Sequence, residues 1–334
     1  MKRLLALGLA ALFAQSAAHP SPPGQKGKHA FGQRGDVREF VREMVERHAF
    51  VEDELAYLFS RARREPAILA AIAPPKDAKA RSWQLYRARF VNDSRITEGA
   101  EFRRRNAAAL ARAAKEHGVP EEIIVAIIGV ETLYGRQTGS WRVIDALATL
   151  AFDYPPRAEF FRGELEQYLL FARERDIDVF SVKGSYAGAI GIPQFMPGSY
   201  RRFAVDFDGD GAADLRASET DAIGSVANFL SRHGWRRGER VLLPARVSGT
   251  AYRPLLEAGV EPSIPLGDLQ RYGIETRSDL ALETAVALIE LESPGAATEY
   301  RLGLRNFYVL TRYNRSALYA SAVYDLAQEI RAKR

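Results

Sequence analysis

PEEIIVAIIGVETLYG, residues 120–135, is the stretch on which the fold turns. Pro120 suits a helix start, because its missing N–H would lack a helical partner there anyway. Glu121 and Glu122 follow in the first turn, where carboxylates meet the positive end of the helix dipole. Ile124, Ile127, Ile128 and Glu131 recur at helical spacing and share one face. Gly135 and Gly139 end the helix. That face is otherwise apolar, so Glu131 is a carboxylate at the end of a buried stripe. Desolvation there disfavours the charged form and raises the pKa. A carboxyl protonated near neutral pH is what a general acid needs. Spacing alone leaves a second reading open, a structural glutamate paired with Arg136.

The pattern around this stretch is also helical. Apolar residues recur at helical spacing over Val37–Phe59, until Pro74-Pro75 breaks the run. An Ala- and Arg-rich helix is predicted over Ile96–Glu116, stopped by Gly118. Further helices are predicted over Ala158–Arg173, Asp221–His233, Leu280–Leu291 and Ser316–Arg331, while Val241–Val247 and Tyr300–Leu310 read as strand-like or irregular. No strand–helix alternation and no internal repeat are present, which argues against a doubly wound parallel sheet. The fold class is mainly α, α+β in detail.

The 334 residues are 47% hydrophobic and 27% charged, the balance of a folded soluble protein. Lys2 and Arg3, the apolar run Leu4–Phe13 and the small residues Ser16-Ala17-Ala18 read as an export signal cleaved after Ala18. No other stretch is long and apolar enough to span a bilayer. Residues 19–35, rich in Pro, Gly and basic side chains, read as a mobile leader, with order beginning near Asp36. The sequence contains no cysteine, so neither a disulfide nor a lipid-bearing thiol is available. A soluble periplasmic protein is therefore expected. Loss of Lys2 and Arg3 with the signal takes the formal charge from +5 to +3, a mild excess compatible with an acidic polymer. No dense Lys/Arg run with interleaved aromatics marks a nucleic-acid surface.

Three motifs narrow the function. They are ETLYGRQTG (131–139), GSYAGAIGIPQFMP (184–197) and NFYVLTRYNRS (306–316). The small residues of the second either let backbone approach a sugar closely or serve tight packing. In order and separation the three motifs resemble those of the membrane-bound lytic murein transglycosylase B family, from about Asp36 to the end of the chain. The resemblance implies a lysozyme-like core over 111–234 and a helical lobe over 36–110. It also implies a small partly β region over 235–275 and a C-terminal helical part over 276–334 that completes a cleft. It makes Glu131 the catalytic acid/base and Tyr86, Ser185, Gln194, Phe229, Tyr313, Asn314 and Tyr319 substrate-binding residues. Phe229 stands where the family often carries tyrosine.

The implied substrate is the glycan strand of peptidoglycan. Glu131 would protonate the oxygen leaving N-acetylmuramic acid, then take the proton of that sugar's C6 hydroxyl, giving a 1,6-anhydro product. A second carboxylate is not needed, although Asp145 and Asp153 are candidates for one. A hydrolysing muramidase and a non-catalytic peptidoglycan-binding protein are the alternatives.

Asp206-Phe-Asp208-Gly-Asp210-Gly211 matches the opening of an EF-hand loop, with oxygen ligands at positions one, three and five and glycine at six. Ala212 would offer its backbone carbonyl. Ala217 stands where the usual closing glutamate would be. The resemblance implies a longer loop closed by a later aspartate, Asp221, with Glu219 as its rival. Calcium there would be structural; a carboxylate-rich turn without metal is the other reading. No His/Cys zinc pattern and no organic cofactor motif are present.

Overall fold

A computed structural model describes residues 31–73 and 82–333. The expected signal, most of the leader and the Pro74-Pro75 break lie outside the described residues. The leader's last residues do not match the expectation. Phe31 is buried against Phe152 (ring centroids 5.7 Å apart), and Arg34 pairs with Asp36 and Asp153 at 2.7 Å. An aromatic anchor and two ion pairs thus bring order forward of Asp36.

The expected run Val37–Phe59 is two helices, α1 (Gly35–His48) and α2 (Glu52–Arg61), because Ala49 turns into the left-handed region at φ 53°. They close on each other through Phe40 and Phe59, edge to face at 5.9 Å. Helices α3 (Pro66–Ile72) and α4 (Trp83–Phe90) follow. The expected helix at 96–116 is also two, α5 (Asp93–Arg105) and α6 (Ala107–His117). Asn106 parts them, its side-chain amide donating to the Phe102 carbonyl at 3.1 Å and to Glu219 at 2.6 Å.

Helix α7 (Glu121–Thr132) is the axis of the molecule, with every residue from Ile123 to Thr132 buried. A helix apolar all round belongs inside a core rather than on its surface. Around it stand α5, α6, α11 (Glu219–Arg232) and α14 (Ala317–Ala332), the last lying along it most extensively. Helices α8 (Val143–Asp153), α9 (Ala158–Glu174) and α10 (Pro197–Phe203) pack in series beside them. A two-stranded antiparallel pair, β1 (Trp141–Arg142) and β2 (Lys183–Gly184), ties the segment after α7 to the second motif.

The β region differs from its expected limits. Strands β3 (Leu242–Val247), β4 (Ile264–Pro265), β5 (Ile274–Glu275), β6 (Ala285–Leu291) and β7 (Glu299–Gly303) form one antiparallel sheet in the order β4-β6-β7-β3-β5. It runs to Gly303, past residue 275. The expected helix at 280–291 is wrong: its second half is β6. Ala287, Ile289 and Leu291 enter the main core, whereas Val286 and Leu288 enter a smaller core with Leu243, Leu255 and Leu302. A strand buried on both faces loses its alternation and reads as an unbroken apolar run. The segment 300–310 divides into the end of β7 and the start of α13 (Arg305–Tyr313). The short helix α12 (Arg253–Glu257) covers the smaller core.

Candidate active site

Glu131 lies in the last turn of α7 with 5% of its surface exposed. Leu133 and Tyr134 then adopt left-handed backbone, at φ 50° and 59°. Such bulky residues pay roughly 1–2 kcal/mol each for that conformation, so the turn needs fastening. The Thr132 hydroxyl supplies part of it, donating to the Ile192 carbonyl at 2.7 Å and accepting from the Gly135 N–H at 3.0 Å. The end of the acid-bearing helix is thereby tied to the second motif.

The Tyr319 hydroxyl, in the first turn of α14, donates to Glu131 Oε1 at 2.7 Å. Burial pushes the Glu131 carboxyl up to about 7, against the opposing effect of the Tyr319 hydrogen bond. No cation among the described residues pairs with it. Arg136, the partner in the structural reading, pairs with Glu98 at 3.0 Å. The hydroxyls of Tyr86, Tyr313 and Tyr319 are all pushed up by burial and by the charge of Glu131, so the three lie within electrostatic reach of one carboxyl. The Tyr313 and Tyr319 rings lie parallel within 10°, centroids 6.4 Å apart. The expected residues Glu131, Tyr86, Tyr313 and Tyr319 therefore converge.

The second motif supplies a neighbouring wall. The Ser185 N–H donates to the Ala189 carbonyl at 2.9 Å, and Ser185 Oγ accepts the Ala189 N–H at 3.0 Å. Gln194 sits at φ 53°, its Nε2 donating to the carbonyls of Thr138 (3.0 Å) and Gly191 (2.9 Å). The Tyr313 hydroxyl donates to the Pro193 carbonyl at 2.5 Å. The motif's glycines serve packing of the chain on itself. A Cβ on Gly184 would lie 2.1 Å from the Ala189 carbonyl oxygen, and one on Gly191 would lie 2.3 Å from that of Leu215. The open approach to a sugar that their small size suggested is not what they provide.

Phe229 is buried in a ring cluster. It stacks on His233 at 4.0 Å and meets Tyr313 edge to face at 4.9 Å, with Phe195 and Phe203 beside it. Its part is to seat Tyr313 from behind. Asn314 closes α13, its carbonyl accepting the Ser316 N–H at 2.7 Å. Thr132, Tyr134 and His233 escaped the sequence reading. Nothing in composition marks them: Thr132 and Tyr134 act through partners distant in the chain, and His233 through its stack on Phe229.

Neither candidate second carboxylate is available. Asp145 is 3% exposed; it accepts two hydrogen bonds from Arg142, at 2.6 and 2.9 Å, and the Arg63 N–H at 2.8 Å. Asp153 is held by Arg34 and Arg64, each at 2.7 Å. Both brace α8 against the N-terminal segment, Asp153 through its two ion pairs and Asp145 through the Arg63 N–H.

In the acidic loop, oxygens of Asp206, Asp208 and Asp210 lie within 4.8 Å of one another, all exposed. That spread suits oxygens sharing a calcium at about 2.3–2.6 Å each. Gly209 and Gly211 donate their N–H groups to Asp206 and hold its carboxyl below the usual range. Asp221, the expected closing ligand, does not join this group. It is fully buried and accepts the N–H groups of Phe207, Asp208 and Asp214, bracing the loop from inside. The rival Glu219 is engaged by Arg105 and Asn106. The Ala212 N–H donates to Asp210 Oδ1 at 2.9 Å.

A largely helical scaffold that buries a carboxyl and lifts its pKa towards neutrality places this chain with the lysozyme-like glycan-cleaving enzymes, whose general acid is a carboxyl kept protonated in the same way. It matches the transglycosylase SLT domain over residues 32–328 and belongs to that family. It is 41% identical over 309 residues to the membrane-bound lytic murein transglycosylase B of Escherichia coli, covering 90% of this chain and 84% of that one. The catenated lytic transglycosylase SltB1 from Pseudomonas aeruginosa superposes with a TM-score of 0.85 at 49% identity, over 91% of this chain and 99% of that one. Escherichia coli Slt35, solved in complex with calcium, gives 0.79 at 38% identity, covering 90% and 94%. Pseudomonas aeruginosa SltB3, solved in complex with NAG-anhNAM-pentapeptide, gives 0.75 at 29% identity, covering 88% and 78%.

Proposed function

We propose that the protein is a peptidoglycan lytic transglycosylase that cuts the bond between N-acetylmuramic acid and N-acetylglucosamine and leaves a 1,6-anhydro end. The observation that carries this reading is the solitary state of Glu131. Burial and the Tyr319 hydroxyl alone set its ionisation, with no carboxylate or cation among the described residues acting on it. A retaining or inverting hydrolase uses two carboxylates. One carboxyl suffices when the sugar's own C6 hydroxyl is the nucleophile.

In this mechanism Glu131 gives its proton to the leaving oxygen of N-acetylglucosamine as the C1–O bond breaks. The resulting carboxylate, held by the Tyr319 hydroxyl, then takes the C6 hydroxyl proton as O6 bonds to C1. Glu131 ends protonated, no water is consumed, and the acid is ready again. Tyr313 and Tyr86 offer ring faces and hydroxyls to the sugars, with Ser185, Gln194 and Asn314 as polar contacts and Phe229 supporting Tyr313. The relatives' names and the muropeptide bound to SltB3 support this substrate.

The same reading makes Asp206, Asp208 and Asp210 the core of a structural calcium site, with the Ala212 carbonyl and Asp221 bracing its far side. Calcium would tie down the loop before α11 and take no part in the chemistry. The calcium complex of Slt35 supports this. The protein would work in the periplasm after export; among the described residues no helix is long and apolar enough to cross a membrane.

Mass spectrometry of sacculi digested by wild type and by Glu131→Gln tests the proposal. Anhydromuramic ends from wild type alone are expected. Reducing muramic ends would make the protein a hydrolase, and no released muropeptide at any pH would make it a binding protein.

A further inference from the structure

We propose that Tyr134 is a positioning residue for Glu131, its phenol fixing the end of the helix that carries the acid against α5 and so holding the acid in place opposite its hydrogen-bond donor. The kinetic part rests on the function proposed above. Tyr134 is 4% exposed, and its hydroxyl donates to the Arg95 carbonyl of α5 at 2.7 Å. Arg95 answers by donating Nη1 to the Gly129 carbonyl of α7 at 3.2 Å. A closed circuit therefore runs from α5 to the last turn of α7, two residues from Glu131.

The phenol lies in a slot that two glycines leave open. A Cβ on Gly129 would stand 2.5 Å from the Tyr134 hydroxyl oxygen. A Cβ on Gly99 of α5 would stand 2.5 Å from the same oxygen and 2.6 Å from Ile330 Cδ1 of α14. Thus α5 and α7 close around the phenol with the last turn of α14 beside the slot, while Tyr319 stands in the first turn of that same helix. The backbone of Tyr134 is itself left-handed, a state that bulky residues keep only where the surroundings over-determine it. Arg95 has no carboxylate within 4.0 Å among the described residues. Its guanidinium donates to the Gly129 carbonyl near the negative end of α7 and to the Arg89 carbonyl of α4, and lies 5.3 Å from the Phe90 ring centroid.

Tyr134→Phe keeps the ring in its slot and deletes the bond to Arg95. Misplacing a reacting group by about an ångström can cost about a hundredfold in rate. Loss of this one bond should lower kcat about tenfold on soluble glycan strands and leave KM within about twofold. Arg95→Met, which cuts the return bond and leaves the carbonyl that Tyr134 binds, should lower kcat in the same sense. Circular dichroism and the active fraction of each preparation are measured in parallel. Wild-type kcat in either folded variant would overturn the proposal, as would a loss that vanishes on correction for active fraction. If wild type itself turns over no substrate, the functional reading fails first. The 13C shift of the Glu131 carboxyl then decides the positioning role: displaced in Tyr134→Phe if the phenol sets the contact with Tyr319, unmoved if it does not.

Discussion

Replacing Glu131 by Gln exchanges a buried acid for a neutral isostere, and its effect on stability can be worked from the site. Burial lifts the carboxyl from its ordinary 4.5 to about 7. Between those values the native chain keeps a proton that the unfolded chain releases. The stabilisation from holding that proton is fully present below the unfolded value and is lost as pH rises through the folded one. At about 1.4 kcal/mol per pH unit, the loss is roughly 3 kcal/mol by about pH 8. The amide that Glu131→Gln introduces cannot ionise, and its oxygen still accepts from Tyr319. The variant should therefore come close to wild type at about pH 4.5 and exceed it by roughly 3 kcal/mol at about pH 8. Urea unfolding of both proteins at both pH values measures this, and the difference of differences cancels every other titrating group. An equal pH dependence in the two proteins would refute the burial argument. Turnover moves the opposite way, falling by at least about a hundredfold as the proton donor is lost.

Three further outcomes follow from the same geometry. Tyr319→Phe removes a hydrogen bond that favours the charged form of Glu131; the alkaline limb of kcat/KM should shift upward by about one pH unit, and a limb that stays or falls contradicts the assignment. Asp145→Ala strands Arg142 and the Arg63 N–H and should cost about 3 kcal/mol in urea unfolding while kcat and products stay unchanged; a matching loss of kcat would point to catalysis by Asp145. Calcium at about a hundred times its Kd should stabilise wild type by about 2.7 kcal/mol relative to chelator and leave Asp208→Ala unaffected; an equal gain in both proteins would place the ion elsewhere.

The catalytic helix was legible in the sequence because its evidence is local. Pro120, two first-turn glutamates and a row of isoleucines state a buried helix with a carboxyl at its end, and α7 is that helix. The breaks at Ala49 and Asn106 were not legible. Alanine is no helix breaker, and Asn106 matters through Glu219, more than a hundred residues away. Strand β6 misled for a different reason: two cores claim its two faces, and alternation appears only when one face meets water. The aromatic site was reached through the motifs. No pattern in the residues says that Phe229 supports Tyr313, or that Arg142 and Arg34 already hold the two aspartates that looked available.

The sheet of the C-terminal half has borders of minimal length. Its outer strands, β4 and β5, pair over two residues each, and β4 contains Pro265, which has no N–H to offer. They cap the ends of the longer strands: β4 pairs with Ala285 and Val286 of β6, and β5 with Arg246 and Val247 of β3. A second chain approaching along β4 or β5 would find almost no backbone to pair with. Edge strands this short favour AVALIEL (285–291) folding inward over recruiting its like.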